Sequence, residues 1–481
     1  MTEISISRAL RSGILWSSVN AILSQASGFV IFLILARALP PELFGVVALS
    51  SVIADFLANE GRYAGMDAVI QAKGYDRKTL NSAFYGLLSV ALPFAALLVA
   101  AAPLVADYQN APLIRYFMPI FGLMLLATPW LSVMDALIMK DLGFKTFTQR
   151  NIVSTFAGGA AGIMLAFTPW AIWALVVQRV VSVVAVLLFE YRYTRWRPGF
   201  DADWHIARNI LRRFLPLWSV AALSLSTQRA VVLIFGLRYD ERTVGLFRAA
   251  DRIGETMQGP LIGPLFSLWL PLMTKVRGDI AKEQEVYVAI IRTAAFVSLP
   301  AFTGLFVVSD DIVALLLPHA YYGVAPIIRS VAIISLMIPI AWFNPIAMNA
   351  LNLNRASLKY SIAVAVTCIT VLLCLPKISP QAAIIWMSAP ALVYGIAGNL
   401  FLHKRLKLSH LSVYRGLAPA AIGSAFMGLA TWWTRSEMLD WNIGFRLGLT
   451  ILIGVIAYLG WLGTFHRQWT AERVKLLLGR S

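Results

Sequence analysis

Val244 to Pro271 is the stretch that decides how this chain is read. It begins Val244, Gly245, Leu246, Phe247, Arg248, Ala249, Ala250, Asp251, Arg252, Ile253, Gly254, Glu255, and then turns almost wholly apolar. On a helix of 3.6 residues per turn, Arg248, Asp251, Arg252 and Glu255 stand at i, i+3, i+4 and i+7 and share one face. The residues around them are apolar enough for a membrane span. Ionisable groups at membrane depth are costly, face a bundle interior or a wet cavity, and by default mark a substrate or ion pathway. The stripe is therefore the candidate functional anchor.

The same grammar recurs near the start of the chain. Aligning Gly45 with Gly245 sets Pro40, Pro41 and Glu42 over Asp240, Glu241 and Arg242, and sets Asp55 against Glu255. What repeats is an apolar span, a short polar turn, a glycine, and a second span carrying an acid about three turns in. Many secondary transporters are built from internal repeats, with the substrate site between the halves near the bilayer midplane.

Composition fixes the class. The 481 residues are 59% hydrophobic and 14% charged, with a mean hydropathy of +0.72. Soluble domains lie nearer 45–50% apolar and about 25% charged. The apolar runs have the length of spanning helices, about 20 residues, rather than the shorter alternating segments of an outer-membrane barrel. An all-α membrane protein is expected, with fourteen spans running from Ile14–Ala36 to Ile443–Phe465. The expected division is a lobe over residues 1–198 (spans one to six), a second over 199–405 (spans seven to twelve) and an addition over 406–481 (the last two spans and a tail). Pro93, Pro103, Pro119 and Pro129 predict long or broken third and fourth spans, and Pro339 and Pro345 interrupt the tenth; neighbours must satisfy the freed carbonyls.

A net charge of +17 invites a nucleic-acid reading, but no basic or aromatic-interleaved face stands apart from the spans. The cations cluster between them instead. With the N-terminus inside, the inner segments collect 28 of the 41 Lys and Arg, and the outer turns hold only Arg37, Arg115, Arg238, Arg242, Lys377 and Arg435. This positive-inside bias predicts cytoplasmic termini. The richest inner segment, residues 191–213, holds six arginines and reads as topology plus attraction to anionic headgroups. Cys368 and Cys374 are six apart in one apolar run, so neither a disulfide nor a metal site follows. No catalytic constellation and no cofactor motif are present.

Depth singles out the charges that could act. At about 1.5 Å per residue, Arg229 and Asp251 lie roughly 10 Å below the outer turn, Arg179 roughly 13 Å, and Asp55 and Glu255 roughly 16–18 Å, near the middle of a core about 30 Å thick. Arg229 with Asp251, and Arg252 with Glu255, can be structural ion pairs. Alternatively Arg179, Arg229, Arg248 and Arg252 line a central cavity for an anionic substrate, since guanidinium suits phosphate and carboxylate. Asp55, Asp251 and Glu255 are then cavity or ion-coupling acids, with Asp55 and Glu255 alone in sign at mid-depth; Asp135 is a weaker candidate.

The run Leu35, Ala36, Arg37, Ala38, Leu39, Pro40, Pro41, Glu42, Leu43, Phe44, Gly45 resembles the opening of the Wzx-type polysaccharide flippases of the multidrug/oligosaccharidyl-lipid/polysaccharide superfamily. So do Leu142, Gly143, Phe144, Lys145; Trp173, Ala174, Leu175, Val176 with Gln178; Val244 through Ala250; Leu270, Pro271, Leu272, Met273; and Asp311 through Leu317. The resemblance implies two six-helix lobes with two further helices. It also implies alternating access and an undecaprenyl-diphosphate-linked oligosaccharide moved across the bacterial inner membrane, its diphosphate met by Arg248 and Arg252. The expected partners are that lipid-linked substrate, membrane lipids, and a polysaccharide polymerase and glycosyltransferases of the same pathway; no cofactor, metal or nucleic acid is expected. Two alternatives stand beside it. A MATE-like drug/cation antiporter predicts acid-rich lobes, which the arginine excess disfavours. A membrane polysaccharide polymerase or ligase predicts a large outer loop, and the sequence has none.

Overall fold

A computed structural model describes residues 23–72, 74–140, 143–376, 378–467 and 470; at 220–231, 233–234, 264, 266–268 and 270–271 the description is of the backbone alone. Helices are the only regular elements among the described residues. Nine helices or helix runs among the described residues are long and apolar enough to cross a membrane. The chain forms two compact units, residues 1–248 and 249–481.

The first unit opens with α1 (Leu23–Ala38) and α2 (Pro41–Ala72). A proline that starts α2 and Glu42 in its first turn suit a helix N-terminus, where φ is preset and the dipole favours negative charge. The last turns of α2 hold because Ala64, Gly65, Ala68 and Val69 are buried and because Arg62 has buried partners described below. α3 (Arg77–Gln109) is capped by Asp76, whose carboxylate accepts from the Thr79 N–H at 3.1 Å, and stays continuous through Pro93 and Pro103. The fourth predicted span is broken ahead of Pro129, into α4 (Ile114–Met124) and α5 (Thr128–Lys140) with a 3₁₀ turn at Leu125–Ala127 between them, whereas α4 runs through Pro119. α6 (Phe144–Ala166) and α7 (Ala174–Thr194) pack closely. A Cβ on Gly158 would collide with the Ser182 hydroxyl, the close approach that the Gly158–Gly162 spacing predicts. α8 (Trp204–Arg238) lies on α2 and α3.

The repeat alignment has a physical counterpart where α9 (Glu241–Val276) begins. Gly45 and Gly245 meet: a Cβ on Gly45 would collide with the Glu241 carbonyl, and one on Gly245 with the Pro41 carbonyl. The two contacts are reciprocal, each glycine against the residue four positions before the other, so the starts of α2 and α9 cross about a local two-fold. Glu42 and Arg242, equivalent in the alignment, form an exposed ion pair across it at 3.5 Å.

The second unit is built on α10 (Ile280–Leu316), against which α11 (Val324–Ser335), α17 (Ala418–Glu437) and α18 (Ile443–Phe465) pack. The tenth predicted span is broken at its prolines into α11, α12 (Ile338–Ala341) and α13 (Asn344–Ala350). The break is satisfied from α14 (Asn354–Cys374) and α15 (Pro380–Arg405). The Asn399 amide donates to the Ile340 carbonyl at 2.9 Å, the Tyr360 hydroxyl to that of Ala341 at 3.4 Å, and in return the Asn344 amide reaches the Gly395 carbonyl at 2.8 Å. The short α16 (His410–Arg415) joins α15 to α17. Cys368 and Cys374 are free.

Candidate functional site

In the first unit, α2 carries Asp55 and α7 carries Arg179, and the two are in direct ion-paired contact. Ser51, one turn before Asp55, donates its hydroxyl to Asp55 Oδ2 at 3.0 Å. The Arg179 guanidinium lies 5.5 Å from the centre of the Phe121 ring, within cation–π range. The side chains are 34% and 28% exposed, open enough for water or an anion to reach. Asp55, expected to be alone in sign at mid-depth, therefore has a cation.

In the second unit, Arg252 and Glu255 lie 3.6 Å apart, one turn apart on α9, with 30% and 50% of their side-chain surfaces exposed. A half-exposed carboxylate on a helix this apolar cannot face hydrocarbon without a large cost, so it faces water. Arg248 and Asp251 occupy the same helical face by spacing and are partly buried. The Arg229 side chain, and with it the predicted Arg229–Asp251 pair, lies outside the described residues.

Asp135 belongs to a different kind of site. It is fully buried on α5 and accepts from Arg62 Nε at 2.5 Å and from Arg150 Nη1 at 2.6 Å. Glu190 of α7, also fully buried, accepts from Arg62 Nη2 and from Arg150 Nη1, each at 2.7 Å. Two arginines and two acids thus close a neutral quartet that ties α2, α5, α6 and α7 together. Sequence reading missed Arg62, Arg150 and Glu190, which it placed at span ends or in inner loops. The available signal was Asp135 itself: an acid inside a span requires a buried cation, and these two arginines flank the right helix ends.

A second unforeseen cluster fixes the last two helices. Asp311 on α10 is buried and receives Arg435 Nε of α17 at 2.7 Å and Arg446 Nη2 of α18 at 2.6 Å. Tyr458 of α18 adds a hydrogen bond to the Phe296 carbonyl at 2.9 Å.

Apolar helices broken at prolines, a repeat crossing at paired glycines and charged groups open to water mark a multi-pass helical membrane protein with a transporter fold. Solved structures agree on that fold. Lipid II flippase MurJ in an inward closed conformation superimposes with a TM-score of 0.77 at 15% identity, covering 94% of this chain and 99% of that one. An inward-facing multidrug resistance MATE family transporter gives 0.63 at 14% identity, over 84% of this chain and 99% of that one. The chain belongs to the polysaccharide biosynthesis protein family, whose model matches residues 34–326. It is 22% identical to the succinoglycan biosynthesis transport protein ExoT of Rhizobium meliloti over 69% of this chain and 67% of that protein. It is 20% identical to the lipopolysaccharide biosynthesis protein WzxC of Escherichia coli over 73% and 71%. Identity to the teichuronic acid biosynthesis protein TuaB of Bacillus subtilis is 21% over 95% of each chain.

Proposed function

We propose that this protein is a flippase that moves an undecaprenyl-diphosphate-linked oligosaccharide repeat unit, for an exopolysaccharide or O-antigen, across the bacterial inner membrane by alternating access. The observation that carries the reading is the pair of water-accessible arginine–acid sites on apolar helices, Asp55 with Arg179 and Arg252 with Glu255, in a member of the polysaccharide biosynthesis family. Guanidinium groups held in reach of water offer a diphosphate bidentate, charge-assisted hydrogen bonds. Arg179, Arg229, Arg248 and Arg252 meet the anionic headgroup, and Asp55, Asp251 and Glu255, released from their arginines, take up the coupling cation. The names of the relatives support a glycan substrate, and the flippase fold of the structural neighbour supports a lipid carrier. The arginines disfavour a drug/cation antiporter.

In this reading the moving lobes are residues 1–198 and 199–405, with 406–481 appended, and both termini face the cytoplasm of the inner membrane. A polysaccharide polymerase and glycosyltransferases act on either side of the same step. Deleting the gene is expected to abolish the surface glycan and to accumulate its lipid-linked precursor in the inner leaflet. A deletion strain with normal surface glycan and no accumulated precursor would refute the reading.

A further inference from the structure

The linker between α7 and α8, residues 195–203, has no part in the transport reading, yet it is built with care. Four polar links hold it on the first turns of α3. The Gly199 N–H donates to Asn81 Oδ1 at 3.1 Å, and Asn81 Nδ2 donates back to the Asp201 carbonyl at 3.0 Å. The Asp203 N–H donates to the Ser82 hydroxyl at 2.7 Å, and the Lys78 ammonium lies 3.2 Å from the Asp203 carboxylate. Asn81 and Ser82 are fully buried, and Trp196 buries its ring beside Phe84. The linker is a fixed shelf, and at its apex stands Phe200.

Phe200 is 99% exposed, the most exposed large apolar side chain among the described residues. A slack loop could fold such a ring away; this one is pinned on both sides of it and cannot. Near it in sequence, Tyr191, Tyr193 and Trp204 are exposed, as are Arg195 and Arg197. Residues 191–213 carry six arginines against Asp201 and Asp203, and Asp203 is already spent on Lys78. α7 closes a candidate membrane span that ends at Thr194, so the linker begins where that span would leave the bilayer. Aromatic rings interleaved with arginines are what an interface of anionic headgroups selects.

We infer that residues 195–204 form a rigid interfacial anchor, in which Phe200 inserts among the lipids of an anionic leaflet while Arg195 and Arg197 bind the headgroups. The occupant is a phospholipid surface, because exposed aromatics with polar tips and a cation excess lie in the same stretch of chain as the ring. Since the shelf is fastened to α3 and leads into α8, it holds the starts of both helices at one depth. The inference rests on the cytoplasmic placing of this linker but not on what is transported.

The test uses the full chain with Cys368→Ser and Cys374→Ser, a nitroxide on Phe200→Cys, and nanodiscs of phosphatidylethanolamine with phosphatidylglycerol or of phosphatidylcholine alone. Spin-label accessibility separates lipid-inserted from aqueous positions by collisions with oxygen or with a water-soluble nickel complex. The label is expected to collide with oxygen and to exclude nickel in the anionic discs. The inserted-to-aqueous ratio is expected to fall about fivefold for each of Arg195→Gln and Arg197→Gln there, and not in phosphatidylcholine. Free collision with nickel in anionic discs, exclusion of both reagents as in a protein contact, or a ratio indifferent to the two arginines would each overturn the anchor. Because no readout involves transport, these outcomes leave the flippase reading untouched.

Discussion

Arg252 and Glu255 are 3.6 Å apart and reachable by water, whereas Asp135 and Glu190 are sealed, and accessibility gives the two sites opposite mutational signatures. An exposed pair contributes little to stability, about 0–1 kcal/mol, because solvent screens it. Arg252→Ala and Glu255→Gln are therefore expected to lose most transport while membrane abundance stays near normal, checked by quantitative immunoblot beside a surface-glycan assay. If both variants disappear from the membrane, the pair is structural. The buried quartet behaves the other way. Arg150→Met leaves two acids sharing one arginine without water, and breaking such a network costs about 3–5 kcal/mol. Its thermal aggregation temperature in detergent is expected to fall well below that of the wild type; an unchanged temperature would contradict the quartet's structural role. The difference was only half legible in the sequence. Depth and spacing find ionisable groups in spans and set Arg252 beside Glu255, but pairing partners such as Asp55 with Arg179 lie on helices far apart in sequence. Nothing in the linear order brings those together.

At the scale of elements, Gly45 and Gly245 make a sharper test than any charged residue. The repeat alignment puts them in register, and the crossing brings their helices together backbone to backbone. Gly245→Leu is expected to force the starts of α2 and α9 apart. Cross-linking of Glu42→Cys to Arg242→Cys by a flexible bifunctional thiol reagent in a chain with Cys368→Ser and Cys374→Ser, efficient with both glycines in place because the native side chains meet at 3.5 Å, is then expected to drop severalfold. Equal cross-linking in both backgrounds would mean that the crossing does not need glycine. The linker shelf adds a pH dependence. Asp203 is held below the usual carboxylate range by the His205 N–H and by Lys78. A group with a lowered native pKa stabilises at neutral pH and loses that contribution as pH falls through its folded value, below about 4. Amide exchange at His205 is expected to accelerate in that acid window and to stay flat from pH 5 to 8, once the intrinsic rate is removed. Helix breaks were legible from Pro129, Pro339 and Pro345, because a proline ring removes a donor and crowds the preceding turn. Pro93 and Pro103 in α3 and Pro119 in α4 obey the same chemistry, yet those helices run through them. The local sequence does not say which prolines a helix absorbs, since that depends on what surrounds it.

For the whole molecule, composition and span length were enough for an all-helical membrane protein, because a bilayer admits few alternatives. The short motifs from Leu35 to Leu317, weak singly, pointed in their order to the family that matches residues 34–326. Packing between helices distant in the chain was less legible. The arm from α8 into α9 packs on α2, and such packing leaves no mark on composition. The attachment of α17 and α18 through Asp311 was equally silent, for Arg435 reads as an outer-turn cation and Arg446 as a stray charge within a span.

The most direct test of the central claim is transbilayer movement by the purified protein in liposomes carrying a fluorescent undecaprenyl-diphosphate oligosaccharide, with an imposed proton or sodium gradient. The account predicts movement well above that of protein-free liposomes, abolished by Arg252→Ala in protein of normal fold. Movement no faster than in empty liposomes, with the protein folded and correctly inserted, would contradict it.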